Sequence, residues 1–169
     1  MIAAAQVSLC LPEIVPVMTE VMADVRKEVT VAAERALADC CGAIGNRDIE
    51  PFIPTLVSCM ARPAEVSETV EKLAATTFVQ SVEPPALALM VPVLARGLAE
   101  RANAVKRKSS IIIDNMCKLV AEPHMAAPFL PKLLPGLQRV KDETSDPECR
   151  QVRRVPEMLC GVVRVAVGD

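Results

Sequence analysis

The chain has 169 residues, a net charge of −2 and a pI near 5.6. That length suits one domain able to bury roughly 70% of its unfolded surface. The acidic balance excludes a protein that coats nucleic acid generically, so any contact with phosphate must come from local patches. Hydrophobic residues make up 51% and aromatic residues only 2%, with no Trp and no Tyr. Strands favour aromatic and β-branched residues, so this composition of Ala, Leu, Val, Ile and Met points to packed helices.

The predicted elements recur in chain order. A first helix carries Ile14-Val15-Pro16-Val17-Met18, and a second follows over Val29 to Leu37 with apolar residues at i, i+3, i+4, i+7 and i+8. The next pair has Phe52-Ile53-Pro54-Thr55-Leu56 and then Val70, Leu73, Ala74 and Phe78. The third has Met90-Val91-Pro92-Val93-Leu94 and then Val105, Ser109, Ile112 and Ile113. The fourth has Phe129-Leu130-Pro131-Lys132-Leu133 and then Val152, Val155, Leu159 and Cys160. The prolines step by 38, 38 and 39 residues, just under the roughly 40–47 residues of HEAT-type helix pairs. Each proline lies in a helical apolar pattern, where it removes a hydrogen bond and kinks the helix. Small residues at Ala33, Ala74 and Ser109 are expected to let paired helices approach closely.

The expectation is therefore an all-α fold, an α-solenoid of about four HEAT-type helix pairs. It forms one segment over 1–169, with repeats at about 11–45, 48–82, 84–121 and 123–166. Repeats two and four carry longer turns, Arg62 to Ser67 and Lys141 to Pro147, which in solenoids map to one edge. Ser67, Asn103 and Asp146-Pro147 are expected helix caps, Glu83-Pro84-Pro85 opens the third repeat, and Asp24 lies near the first turn. Pro156 is expected to break or delay the last helix. Residues 1–8 read as the tail of a preceding helix, and neither end shows a polar capping repeat. The chain is accordingly expected to be a segment of a larger polypeptide, or to have unusually exposed end helices.

Catalytic chemistry finds no foothold. The six glycines form neither G-x-x-x-x-G-K-[ST] nor G-x-G-x-x-G, so no cofactor and no nucleotide site is expected. The single histidine, His124, reads as a surface or capping residue, with no nucleophile placed beside it. Asp142, Glu143 and Asp146 lack the order of a calcium loop and read as a solvated turn. Seven cysteines, with no C-x-x-C and one vicinal pair, Cys40-Cys41, read as reduced, buried thiols of a cytosolic protein and not as metal ligands. The apolar run Ala86 to Ala95 contains Pro92 and is too short to cross a bilayer. Residues 1–11 lack the basic start of a signal peptide.

The basic runs are the remaining surface chemistry. Lys106-Arg107-Lys108 opens the second helix of repeat three, Arg150, Arg153 and Arg154 occupy the matching region of repeat four, and Arg26-Lys27 that of repeat one. Cations in a first turn oppose the helix dipole. Two roles fit them. They can bond acidic residues of neighbouring turns in a ladder, or they can form a positive edge that meets RNA phosphate or an acidic protein.

Several segments go beyond a generic repeat. Val105-Lys-Arg-Lys-Ser-Ser-Ile-Ile-Ile-Asp-Asn-Met-Cys-Lys-Leu-Val-Ala-Glu-Pro123, Asp48-Ile-Glu-Pro-Phe-Ile-Pro54, Glu65-Val-Ser-Glu-Thr-Val70, Ala75-Thr-Thr-Phe-Val79, Arg96-Gly-Leu-Ala-Glu-Arg101 and Ala127 to Leu137 resemble the HEAT region of fungal-type translation elongation factor 3. The resemblance runs in order from about Leu11 to about Arg154 and fades after Pro156. It implies a ribosome-binding module of a cytoplasmic ATP-binding-cassette ATPase, with rRNA and ribosomal proteins as partners and no membrane or small-molecule substrate for this chain. The ATPase cassettes of that family lie downstream and are absent here, so no ATPase activity is expected. The alternative is a protein–protein scaffold such as the related region of the ribosome-bound activator of the initiation-factor kinase.

Overall fold

The computed structural model describes residues 2–143. Among them every regular element is helical: α1 (Ile2–Val21), α2 (Lys27–Cys41), α3 (Ile53–Ala61), α4 (Val66–Ala74), α5 (Pro84–Ala99), α6 (Asn103–Leu119), α7 (Pro123–Ala126) and α8 (Leu130–Glu143). Helix α1 packs on α2, α3 on α4 and α5 on α6, and α7–α8 supplies the first helix of a fourth unit. The expected all-α stack of helix pairs is the observed architecture. The second helix of repeat four, with Val152 to Cys160, the Asp146-Pro147 start and Pro156, lies outside the described residues.

Helix α5 is the axis of the stack. It touches α1, α3, α4, α6 and α8. Its side chains are buried almost all round, from Pro85 to Val91 and again at Val93, Leu94, Gly97 and Leu98, as a helix with neighbours on every side must be. Glu83 is extended and Pro84 and Pro85 take the first two helical positions, where a missing N–H costs nothing. Helix α1 also packs against α5, while α3 has nine residues and lies against α2 and α5. Repeats one and three therefore meet over the short second repeat.

The repeat prolines divide into two kinds. Pro16 and Pro92 are inside α1 and α5, as expected. Pro54 and Pro131 are instead the second residues of α3 and α8. Each follows another proline by three residues, Pro51 or Pro128, set in a 3₁₀ turn over Glu50–Phe52 or Ala127–Phe129. Two missing donors three residues apart interrupt the α-helical ladder, so the chain takes a 3₁₀ turn and starts a new helix with proline in its first turn.

Other expectations need correction. Residues 2–8 belong to α1 and form no separate helix. On α2 the buried stripe is Ala33, Leu37 and Cys41, while Ala32 and Ala36 are exposed. Helix α4 ends at Ala74, which is exposed, and Phe78 packs on the core from the segment beyond it. Ser67 lies inside α4 and caps nothing, because the 3₁₀ turn Pro63–Glu65 leads straight into Val66. Asn103 is the first residue of α6, after Ala102 as the boundary residue. Lys141, Asp142 and Glu143 continue α8, with Asp142 accepting a hydrogen bond from Gln138 at 3.0 Å. Cys10 is exposed, whereas Cys41 and Cys59 are buried and Cys40 and Cys117 half-buried. Burial pushes the Cys41 and Cys117 thiols up to about 12.

Close helix approach occurs where α5 crosses α6. Ser109 is fully buried and its hydroxyl has no hydrogen-bond partner. Gly97 faces it, and a Cβ there would overlap Ser109 Oγ and stand 3.1 Å from Val70 Cγ2. At the next crossing, Gly136 of α8 seats against Leu98, whose Cβ and Cδ1 would be 3.0 Å from an added Cβ.

The turns between repeats are joined by polar contacts. Asp48 accepts hydrogen bonds from the backbone N–H groups of Val79 and Gln80, both at 2.7 Å. Asn46 donates to Ser81 O at 3.1 Å, and Val82 N–H donates to Leu119 O at 3.0 Å. The Gln80 and Val79 donors hold the Asp48 carboxyl below the usual carboxylate range. A depressed folded pKa contributes stability above the unfolded value of roughly 3.9 and loses it as pH falls through the folded value. Asp48→Asn is therefore expected to be less stable than the parent at neutral pH, with a gap that closes at low pH. Urea melts at pH 7 and pH 3 check this; a gap of constant size would contradict it.

Candidate functional site

The basic run sits on α6, at its fourth to sixth residues. Helix α6 starts after the tight turn at Glu100–Ala102 and presents its apolar stripe, Val105, Ser109, Ile112, Ile113 and Met116, to the core. That register turns Lys106 and Lys108 toward the neighbouring helices, and all three cations of the run are half-buried.

Each flanking lysine meets a carboxylate of another repeat. Lys106 Nζ is 2.8 Å from Glu143 Oε2 at the end of α8. Lys108 Nζ pairs with Glu71 Oε2 on α4. Arg107 is engaged as well. Both lysine pairs join residues 37 positions apart, one looking back a repeat and one forward.

A similar pair joins the first two repeats. Arg62, at the end of α3, bonds Glu34 of α2 at 2.9 Å and Glu65 at 2.7 Å. Glu65 also accepts a hydrogen bond from Ser58 at 2.6 Å. Ser58 first and Arg62 second hold the Glu65 carboxyl below its usual range, while Glu34 and then Glu65 raise the Arg62 guanidinium. Arg96 of α5 donates to Cys59 O and Met60 O at 3.1 and 2.8 Å, tying off the end of α3. In repeat one Arg26 bonds Asp24 at 3.0 Å just before α2, and Lys27 is exposed.

The ladder role thus has direct geometric support at Lys106 and Lys108. Arg150, Arg153 and Arg154 lie outside the described residues. His124 is 66% exposed, with Nδ1 3.2 Å from Glu122. Among the described residues no cluster of His, Cys, Asp or Glu is arranged to hold a metal, and no helix is long and apolar enough to cross a membrane. The sequence reading missed the acidic partners Glu71 and Glu143. Their separation from the lysines is close to the proline period, and a search for opposite charges at that interval would have found them.

Comparison with known proteins matches the sequence to a family. The model "Elongation factor 3/GNC1 HEAT repeat" matches residues 64–160, and "EF3 N-terminal HEAT repeat" matches residues 1–37. The chain is 57% identical over 151 residues to Elongation factor 3 of Phytophthora infestans, covering 89% of this chain and 14% of that protein. It is 54% identical over 147 residues to Elongation factor 3A of Saccharomyces cerevisiae, covering 87% of this chain and 14% of that protein. With Elongation factor 3 of Pneumocystis carinii it shares 48% over 163 residues, or 96% and 16%. The chain spans about one seventh of the length of these curated relatives.

Proposed function

Because the chain belongs to the elongation factor 3/GNC1 HEAT-repeat family, we propose that it is the ribosome-binding module of an elongation-factor-3-like translation factor, acting as a cytoplasmic, non-catalytic scaffold in elongation. The observation that carries this reading is the identity with named elongation factors along most of the chain. Both matching models are HEAT repeats, which supports a binding role for this segment, with ATP hydrolysis belonging to other parts of a longer polypeptide. Calorimetry of the purified chain with ATP is expected to give no heat of binding; micromolar affinity would overturn the non-catalytic part of the reading.

Within this proposal the α6 cations are a contact for rRNA phosphate, together with Arg150, Arg153 and Arg154. A lysine that meets phosphate releases condensed counterions, so removing one such contact lowers the salt slope of binding by roughly one unit. Replacing Lys106, Arg107 and Lys108 together by Ala, followed by ribosome co-sedimentation at several salt concentrations, is expected to give weaker and less salt-sensitive binding. Unchanged binding with a lowered melting point would assign these residues to the ladder alone. The ion pairs of Lys106 and Lys108 fit that second role, and the experiment separates the two.

A further inference from the structure

We propose that Glu71 and Glu143 gate the α6 cation cluster, holding its lysines in carboxylate pairs that a phosphate must displace. The inference rests on reading Lys106–Lys108 as a phosphate contact, and it adds how that contact is regulated. Lys108 is held by Glu71 from α4 and Lys106 by Glu143 from α8, so the two locks come from opposite sides of α6. In both pairs the carboxylate is the more exposed partner. Glu71 and Glu143 are 50% and 49% exposed, against 33% for Lys108 and 14% for Lys106. A phosphate arriving from solvent therefore meets negative charge first.

For a lysine to bind phosphate, its ammonium must leave or share the carboxylate, whose oxygens return to water. Lysine suits such an exchange, being a compact charge on a flexible stem with three donors. Exposed pairs of this kind are weak, so the lock is worth only a few-fold in affinity. The carboxylates and the lysines also stand on different repeats. A bend of the stack that draws α4 or α8 away from α6 would free a lysine with no change at the lysine itself, coupling the curvature of the solenoid to its affinity for phosphate.

The test uses the full chain and ribosomes as the probe. Glu71→Gln and Glu143→Gln keep the side-chain shape and remove the charge. Each is expected to tighten co-sedimentation about two- to fivefold and to raise the magnitude of the salt slope by about one unit. Glu13→Gln on the exposed face of α1 makes the same change of net charge away from α6 and controls for general electrostatics. Tightening no greater than that of Glu13→Gln, while the triple Ala variant weakens binding, would overturn the gate and leave the phosphate contact standing. Binding indifferent to the triple variant, or no ribosome binding by the chain, would overturn the contact and the gate together.

Discussion

Gly97→Ala is expected to destabilise the chain by about 1–3 kcal/mol, the usual cost of adding a methyl group to a packed core. In a solvent-exposed helix the same change would stabilise by roughly 1 kcal/mol, because Ala is the better helix former. Here packing decides the sign. The new Cβ overlaps Ser109 Oγ and stands 3.3 Å from Ser109 Cβ and 3.1 Å from Val70 Cγ2. Turning the hydroxyl away relieves the first contact and leaves the other two, so α5 must shift by a few tenths of an ångström from both α6 and α4. Ser109→Ala removes a buried hydroxyl that lacks a partner and is expected to be neutral or stabilising on its own. In the Gly97→Ala background it should restore only the part of the loss that comes from the Oγ overlap, because the Cβ of residue 109 and Val70 Cγ2 stay in place. Denaturant melts of the two single variants and the double variant measure the coupling. A stabilised Gly97→Ala protein, or a pair of strictly additive effects, would show that the crossing has slack.

Leu98→Ala has the largest expected effect. Leu98 is fully buried on α5 and seats against Gly136 of α8. Removing a buried leucine side chain costs about 2–5 kcal/mol, the transfer energy of the lost atoms plus the cavity left behind. The position of Gly136 sharpens the prediction. In the parent, Gly136→Ala would press its methyl to 3.0 Å from two Leu98 carbons. In Leu98→Ala the contact with Cδ1 is gone, while the contact with Cβ, which alanine keeps, remains at 3.0 Å. The double variant is therefore expected to lose less stability than the sum of the two single losses, because half of the Gly136→Ala clash is already relieved. Thermal melts of the three proteins provide the check; losses that add strictly would mean that α8 is not seated against Leu98 in solution.

The fold was legible because period and composition agree. Four prolines in register and an almost aromatic-free apolar set left few alternatives to stacked helix pairs, and Ala33, Ser109, Ile112 and Ile113 fall where their stripe places them, in the core. Boundaries were less legible. Phe78 continues the apolar spacing of α4, yet Asp48 captures the N–H groups of Val79 and Gln80 from 31 and 32 residues away, fixing a non-helical segment that no local pattern announces. Pro54 and Pro131 share the spacing of Pro16 and Pro92 but begin helices, because Pro51 and Pro128 precede them. At the candidate site the cations were visible as a run. Their partners were not, since helix periodicity relates residues three or four apart and says nothing of a carboxylate a full repeat away.

The seating of α1 on α5 bears on how the chain folds. In a strictly linear stack each unit touches only the next, contacts stay local in sequence, and structure can spread from any point or fray from either end. The contact between the first and third units closes a loop through the whole of the second, including the nine-residue helices α3 and α4. Closing such a loop must precede the reward of its contacts, which slows folding relative to a zipper of neighbours. Once made, the contact leaves α3 and α4 little freedom to open alone, because α5 lies against both of them as well as against α1. The first three units then gain and lose structure together, and the short middle pair draws its stability from the long helices that enclose it.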